Sequence, residues 1–160
     1  MVAIARPRLA LACVFVLFWQ FVSGLARPGA LVAPSADPGL CLALALGWAG
    51  VSNRLALAAW LSSLGTQMVL AGLSPLWSFL LGWPAWRALR GRVLSWSTLL
   101  FALFCIVVAR CGGKLVLMGA LPHVFPLTLT GATLFEALYA EAASTLFLLA
   151  VFGLLFKGGR

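Results

Sequence analysis

Few residues of this chain could do acid–base or nucleophilic chemistry, and their spacing brings no pair of them together. The 160 residues contain one histidine, His123, in a segment that also holds Pro122 and Pro126. Glu136 and Glu141 are five positions apart, a spacing that does not place two side chains on one helix face. A hydrolase needs a nucleophile and a base within mutual reach, and no glycine-rich phosphate loop follows a strand pattern. The sequence therefore predicts a non-enzyme without a cofactor.

The four cysteines do not follow a metal-binding or redox pattern. Neither a CxxC pair nor a cysteine–histidine ligand spacing is present, and one of the two would be needed to argue for such a site. Three of the four lie within apolar runs, where a thiol behaves as a small hydrophobic group. We therefore expect all four to be structural and predict no metal site. The cysteines are Cys13, Cys41, Cys105 and Cys111.

The composition indicates an integral membrane protein. Hydrophobic residues make up 64% of the chain and charged residues 9%, with a mean hydropathy of +1.11. A soluble domain uses about 25% charged residues. The net charge of +8 fits basic loops that touch anionic lipid headgroups. No basic face with interleaved aromatic residues points to nucleic acid, so the lipid bilayer is the expected partner.

Six apolar runs predict an all-α membrane protein with six transmembrane helices in one integral membrane domain, residues 1–160. A helix needs about 20 residues to cross roughly 30 Å of hydrocarbon. The second and fourth runs are shorter and could be re-entrant half-helices, so length alone allows four, five or six spans. The first run follows Arg6 and Arg8 like a signal peptide, but it is long enough to be an uncleaved first helix. The predicted spans are residues 9–26, 38–51, 54–71, 75–88, 94–112 and 133–156.

The distribution of basic residues favours six spans with both termini in the cytoplasm. That arrangement puts eight basic residues in inside loops and three in outside loops, as the positive-inside rule requires. A single span over residues 40–71 would bury Arg54, at a cost of about 2.5–3.5 kcal/mol. The cluster that sets the topology is Arg87, Arg90 and Arg92, and the three outside residues are Arg27, Arg110 and Lys114.

Three ionisable residues are candidates for polar positions inside the membrane: Arg110, Glu136 and Glu141. Glu136 lies close to the start of the last helix, where a carboxylate is favoured by the helix dipole. Glu141 is about 12 Å further along than Thr133, and a carboxylate buried there must pair or become protonated. Arg110 is its nearest partner in depth. A Glu141–Arg110 ion pair, a partner-binding role, and a proton or ligand role are the alternatives.

Two further patterns concern packing. Small residues lie together on the third run, where they permit close helix approach, either within the chain or to a partner helix. The partner-binding candidates are Ala58, Ser62, Gly65, Thr66 and Gln67.

Tryptophans near the ends of runs predict an anchoring belt at headgroup depth. They are Trp48, Trp77, Trp83, Trp86 and Trp96.

Residues 55–94 resemble the MreD family of rod-shape-determining membrane proteins. In that family a Gly/Ala-rich third helix leads to a Ser-Pro-Leu turn, then to a short aromatic-containing helix and a basic loop. The matching segments here are Ser74-Pro75-Leu76, Leu81-Gly82-Trp83 and the arginines Arg87, Arg90 and Arg92. Upstream, Asp37-Pro38-Gly39-Leu40 resembles the segment that opens the family's second helix. Gln67 stands near the place where the family commonly has an acidic residue.

The resemblance implies a six-helix fold similar to the substrate-binding subunits (S components) of energy-coupling-factor importers. It implies a multi-pass protein of the bacterial inner membrane that acts as a scaffold of the cell-elongation machinery for peptidoglycan synthesis. The implied partner is MreC, a single-span protein, with links to MreB, RodA and a class B penicillin-binding protein. The alternative is the small-molecule-binding subunit of such an importer. A third possibility is an unrelated small membrane protein.

Overall fold

A computed structural model of the chain describes residues 6–25, 36–71, 74–93, 95–120 and 131–157. All regular structure in these ranges is helical, which confirms the all-α prediction for the described residues. The elements are α1 (Arg6–Leu25), α2 (Pro38–Trp48), α3 (Asn53–Ala71), α4 (Ser74–Leu89), α5 (Trp96–Val107), a π-helical turn (Val108–Gly112), α6 (Gly113–Ala120) and α7 (Gly131–Lys157).

The short helix α2 occupies the centre of the bundle. Nine consecutive residues from its start, Pro38 to Leu46, are buried, and the helix contacts α1, α3, α4 and α7. A helix that is apolar on every side must be enclosed on every side, and the run of leucines and alanines in α2 meets that condition. Its 11 residues rise by about 16 Å, roughly half the thickness of a bilayer's hydrocarbon core.

A tight turn joins α2 to α3. The backbone amide of Gly50 donates to Gly47 O, and that of Val51 donates to Leu46 O. Gly50 has a φ of +84°, a backbone conformation that glycine adopts without steric cost. The polar break expected at Ser52-Asn53-Arg54 thus falls at the start of α3, and Arg54 is exposed there.

The fifth helical run is longer than the sequence predicts. The predicted span ends at residue 112, the first of two consecutive glycines, Gly112 and Gly113. In the structure, the helix continues through the π turn into α6 and ends at Ala120. Two glycines lower helix propensity, but the helical hydrogen bonding continues through them: the Gly113 amide donates to Ala109 O and Arg110 O. Residues 96–120 therefore form one run of helix about 37 Å long.

The prediction of a tryptophan belt at headgroup depth is only partly correct. Trp48 and Trp86 are buried, at 3% and 1% exposure, and belong to the hydrophobic core. Trp83 is half-buried and stacks at 6.4 Å on the ring of Trp60. Trp96 is the exposed member, and the side chain of Trp77 lies outside the described residues. Both side chains pack into the core around α2 and do not face the surroundings, and the Trp86 ring lies 6.0 Å from that of Trp60.

One described helical segment has the length and hydropathy of a membrane span. It is Phe135–Phe156, with 22 residues and a mean hydropathy of 1.8. Shorter apolar helices occupy Pro7–Ser23, Pro38–Trp48 and Trp96–Gly112.

Candidate functional site

A cluster of buried charged residues lies where α2 begins. The Arg110 guanidinium donates from Nε to Glu141 Oε1 at 2.6 Å, and its Nη1 lies 3.9 Å from Asp37 Oδ2. The three side chains are at most 4% exposed. The Arg110–Glu141 ion pair, one of the three alternatives that the sequence leaves open, is therefore present, and Asp37 joins it as a second carboxylate.

Asp37 accepts hydrogen bonds from two helices in this cluster. Its Oδ1 accepts hydrogen bonds from the backbone amides of Gly39 and Leu40 at 2.9 and 3.1 Å, which caps the N-terminus of α2. Its Oδ2 accepts the indole N–H of Trp60 at 3.0 Å. A carboxylate at a helix N-terminus satisfies amides that lack intrahelical partners and interacts favourably with the helix dipole. Asp37 thereby fixes the start of α2 against α3.

The π-helical turn contains Arg110. Turns of this kind insert an extra residue into a helix and are frequent at functional sites. Here, Arg110 and Cys111 are both buried within the turn. Sequence analysis counted Arg110 as an outside loop charge, and the structure corrects this: Arg110 lies inside the bundle, ten residues before the end of α6. Lys114, counted in the same outside loop, lies within α6, and Arg27 lies outside the described residues.

A second polar group connects α1 to α3. The Gln20 amide donates from Nε2 to Ser63 Oγ at 2.7 Å and to Ser63 O at 3.2 Å. Thr66 Oγ1 lies 2.8 Å from both Gln20 Oε1 and Ser63 O, so its hydroxyl can donate to either. Gln20 and Ser63 are buried, and a buried amide without partners is costly, so these bonds fix the register between the two helices.

Gly39 lies between the two polar groups. A Cβ at this position would stand 2.5 Å from Ser63 Oγ and 3.0 Å from Trp60 Cδ1. Only the absence of a side chain lets α2 approach α3 this closely. The polar side chains therefore follow one another across the bundle from Glu141 on α7 to Gln20 on α1.

The partner-binding candidates on α3 divide into two groups. Ala58, Ser62 and Gly65 are exposed, and no described atom lies within 4 Å of a Cβ built on Gly65. Ser62 Oγ donates to Ala58 O in its own helix. Thr66 instead bonds to Gln20 on α1, and Gln67 is half-buried. Ala58, Ser62 and Gly65 thus lie together on the outward face of α3, with Leu55, Leu61, Thr66 and Val69 exposed around them.

The other candidates lie apart from the cluster. Glu136 is exposed and five residues beyond Gly131, past the first turn of α7, so the helix dipole acts on it weakly. Arg87 lies in the last turn of α4, Arg90 and Arg92 lie between α4 and α5, and all three are exposed. Arg92 donates to Ala88 O and stands 4.7 Å over the Phe101 ring. His123 lies outside the described residues.

Sequence reasoning missed Asp37, Trp60 and Gln20. Aspartate followed by proline is a typical start of a helix, with proline at N1, so Asp37 was recognisable as a cap. Nothing in the sequence indicated that a cap would meet Arg110, because residues 37 and 110 are 73 positions apart. Trp60 and Gln20 stand within apolar runs and were treated as ordinary span residues.

The cluster of buried charged residues can hold helices together, because its positive and negative groups pair with one another. Breaking a buried ion pair leaves an uncompensated charge and costs about 3–5 kcal/mol, so the cluster locks α2, α3, the π turn and α7 into one arrangement. Among the described residues, no three His, Cys, Asp or Glu side chains lie together as a metal site would require. Comparison with known proteins gives no match to a family model, a curated protein or a solved structure.

Proposed function

We propose that this chain is a non-enzymatic scaffold of the bacterial inner membrane, with six spans and both termini in the cytoplasm. In this proposal it binds a single-span, MreC-like protein of the cell-elongation machinery and, through it, RodA, a class B penicillin-binding protein and MreB. The proposal rests on the MreD resemblance of residues 55–94 together with two features of the structure: an apolar exterior and an open face of small residues.

The apolar exterior supports the membrane location. Large hydrophobic side chains are exposed around the described bundle, among them Val69 at 86% and Leu154 at 72%. Soluble monomers rarely expose contiguous apolar surface beyond a few hundred Å², whereas lipid-facing helices must be apolar. The polar side chains Gln20, Asp37 and Glu141 instead lie inside the bundle, as membrane helices require.

The depth of the charged cluster agrees with alternating spans. Residues 60–71, 110–120 and 131–141 each rise by about 15–17 Å. If α3 and the α5–α6 run cross in one direction and α7 in the other, then Trp60, Arg110 and Glu141 share one depth. Spans that alternate in direction, as the distribution of basic loops requires, would therefore place these three side chains at the same depth in the membrane.

The observation that carries the proposal is the outward face of α3. Ala58, Ser62 and Gly65 present a small surface that no other described helix covers. Lipid chains require no small residues, whereas a second helix can approach closely only where side chains are small. The Ser62 hydroxyl is bonded to its own helix, so it adds no unsatisfied polar group to such an interface.

Co-expression with an MreC-like single-span protein, followed by detergent purification, tests the proposal. We expect a stable complex that Ser62→Phe or Gly65→Leu weakens while the yield of the chain itself is unchanged, because both positions are open. Leu154→Phe, at an exposed position on α7, is the matched control. Absence of a complex together with tight binding of a vitamin-sized ligand would favour the importer subunit instead.

A further inference from the structure

An apolar groove lies between α3 and α4 on the outside of the bundle. It is lined by Leu57, Leu61, Phe79, Leu80 and Trp83 and has a volume of about 330 Å³. Leu61 and Leu80 are 46% and 58% exposed. The groove thus opens to the surroundings along its length and is apolar on both walls.

The floor of the groove is built from aromatic rings that the core holds in place. Phe79 and Trp83 pack against Trp60 with centroid separations of 4.6 and 6.4 Å and against each other at 5.7 Å. Trp60 is buried and fixed by its hydrogen bond to Asp37. The groove is therefore preformed by packing.

One end of the groove carries exposed positive charge. Arg54 precedes Leu57 by three residues, and Arg87 follows Trp83 by four, so each lies about one helical turn beyond the lining. Helices α3 and α4 are consecutive in the chain and pack against each other, and consecutive neighbours in a helix bundle run antiparallel. Both arginines therefore lie at the same end, with Arg90 one turn further.

We infer that this groove binds an anionic phospholipid, with an acyl chain along Leu57, Leu61 and Leu80 and the phosphate at Arg54 and Arg87. The chemistry of the groove selects the occupant. Its apolar walls match an acyl chain, and the guanidinium groups at its end match the phosphate of the headgroup by charge complementarity. Guanidinium groups bind phosphate with two parallel hydrogen bonds, and basic pockets between helices on the cytoplasmic side bind lipid headgroups. The inference rests on the membrane location proposed above and not on the partner helix.

The lipid groove and the partner face adjoin on α3. Leu57 and Leu61 lie about 60° and 100° around the helix from Trp60, whereas Ser62 lies about 200° from it. Leu61 also neighbours Ala58 and Gly65, which are three and four residues away. The lipid test therefore changes Arg54, Arg87 and Leu80, which are not among the residues of the partner face.

Native mass spectrometry of the full chain, with added phosphatidylglycerol or phosphatidylcholine of identical acyl chains, tests the inference. We expect retention of phosphatidylglycerol in preference to phosphatidylcholine. Arg54→Gln and Arg87→Gln should each weaken that retention about fivefold. Leu80→Trp, which fills the groove, should abolish it. Arg92→Gln is the matched control, because Arg92 is engaged with Ala88 O and Phe101.

Three outcomes would overturn the inference. They are equal retention of the two lipids, retention unaffected by Arg54→Gln together with Arg87→Gln, and full competition by glycerol phosphate, which has no acyl chain. Membrane fractionation of the same variants separates this failure from a failure of the proposed function. A chain that does not integrate into the membrane contradicts the proposed location, whereas an integrated chain without lipid preference contradicts only the groove.

Discussion

Arg110 Nε lies 2.6 Å from Glu141 Oε1, and both side chains are almost completely buried although 31 residues separate them. The pair joins the π turn of the fifth helical run to the last helix, and Asp37 connects it to the start of the central helix. A charged contact at this place is a structural requirement. Without Arg110 two buried carboxylates would lose their counter-charge, and without Glu141 the guanidinium would lose its shorter ion pair and keep Asp37 at 3.9 Å.

Removal of either partner should destabilise the chain more than removal of both. Arg110→Ala and Glu141→Ala should each cost about 3–5 kcal/mol, measured as the thermal unfolding midpoint and the yield of folded protein in detergent. The double variant should recover part of the loss, because Asp37 keeps its bonds to Trp60 and to the two backbone amides. Strictly additive losses would show that the two side chains do not interact.

The helix cap formed by Asp37 should contribute more to the free energy of unfolding than an ordinary helix cap. Ser95 caps α5 at an exposed position, accepting from the Thr98 amide, and Ser95→Ala should cost about 1 kcal/mol. Asp37→Ala should cost at least twice as much, because it also removes the bond to Trp60. Asp37→Asn keeps the acceptor for the amides and should fall between them. Thermal unfolding of the three variants checks the order, and equal losses for Asp37→Ala and Ser95→Ala would contradict it.

The basic residues at the end of α4 and before α5 should control the orientation of the chain. A reporter fused after Arg160 should be active only in a cytoplasm-reporting format. Replacement of Arg87, Arg90 and Arg92 together by glutamine should disturb this orientation, because the inside then keeps five of its eight basic residues and the positive-inside asymmetry is reduced. Neutral replacement of Arg27 and Lys114 is the control and should leave it unchanged. A periplasmic signal from the unmodified fusion would refute the six-span arrangement.

The sequence predicts well those features that depend on local pattern. Apolar runs locate the helices because a helix of about 20 apolar residues is easily recognised, and the all-α class follows. The Arg110–Glu141 pair was also predictable, since a carboxylate inside an apolar run needs a partner and few cations were available. Local pattern also marked the start of α2, where proline follows aspartate.

Features that depend on which helices meet could not be read from the sequence. The burial of Trp48 and Trp86 follows from the central position of α2, and tryptophans near run ends look the same in a belt and in a core. The π turn allows the helix to continue beyond Gly112 and Gly113, where helix propensity predicts a break. The bond between Gln20 and Ser63 likewise depends on helices 43 residues apart in the chain.

Close approach of α2 to α3 should make Gly39 intolerant of any side chain. In Gly39→Ala the new Cβ would lie 2.5 Å from Ser63 Oγ, a distance that forces the helices apart and disrupts the bonds of Gln20 and Trp60. Gly47→Ala in the same helix is the matched control. No described atom lies within 4 Å of its Cβ, so the change should be neutral or stabilise the helix by up to about 1 kcal/mol. Thermal unfolding in detergent measures both. Combining Gly39→Ala with Ser63→Gly removes the nearest clash and should restore part of the stability. A Gly39→Ala variant as stable as Gly47→Ala would contradict the close packing of these helices.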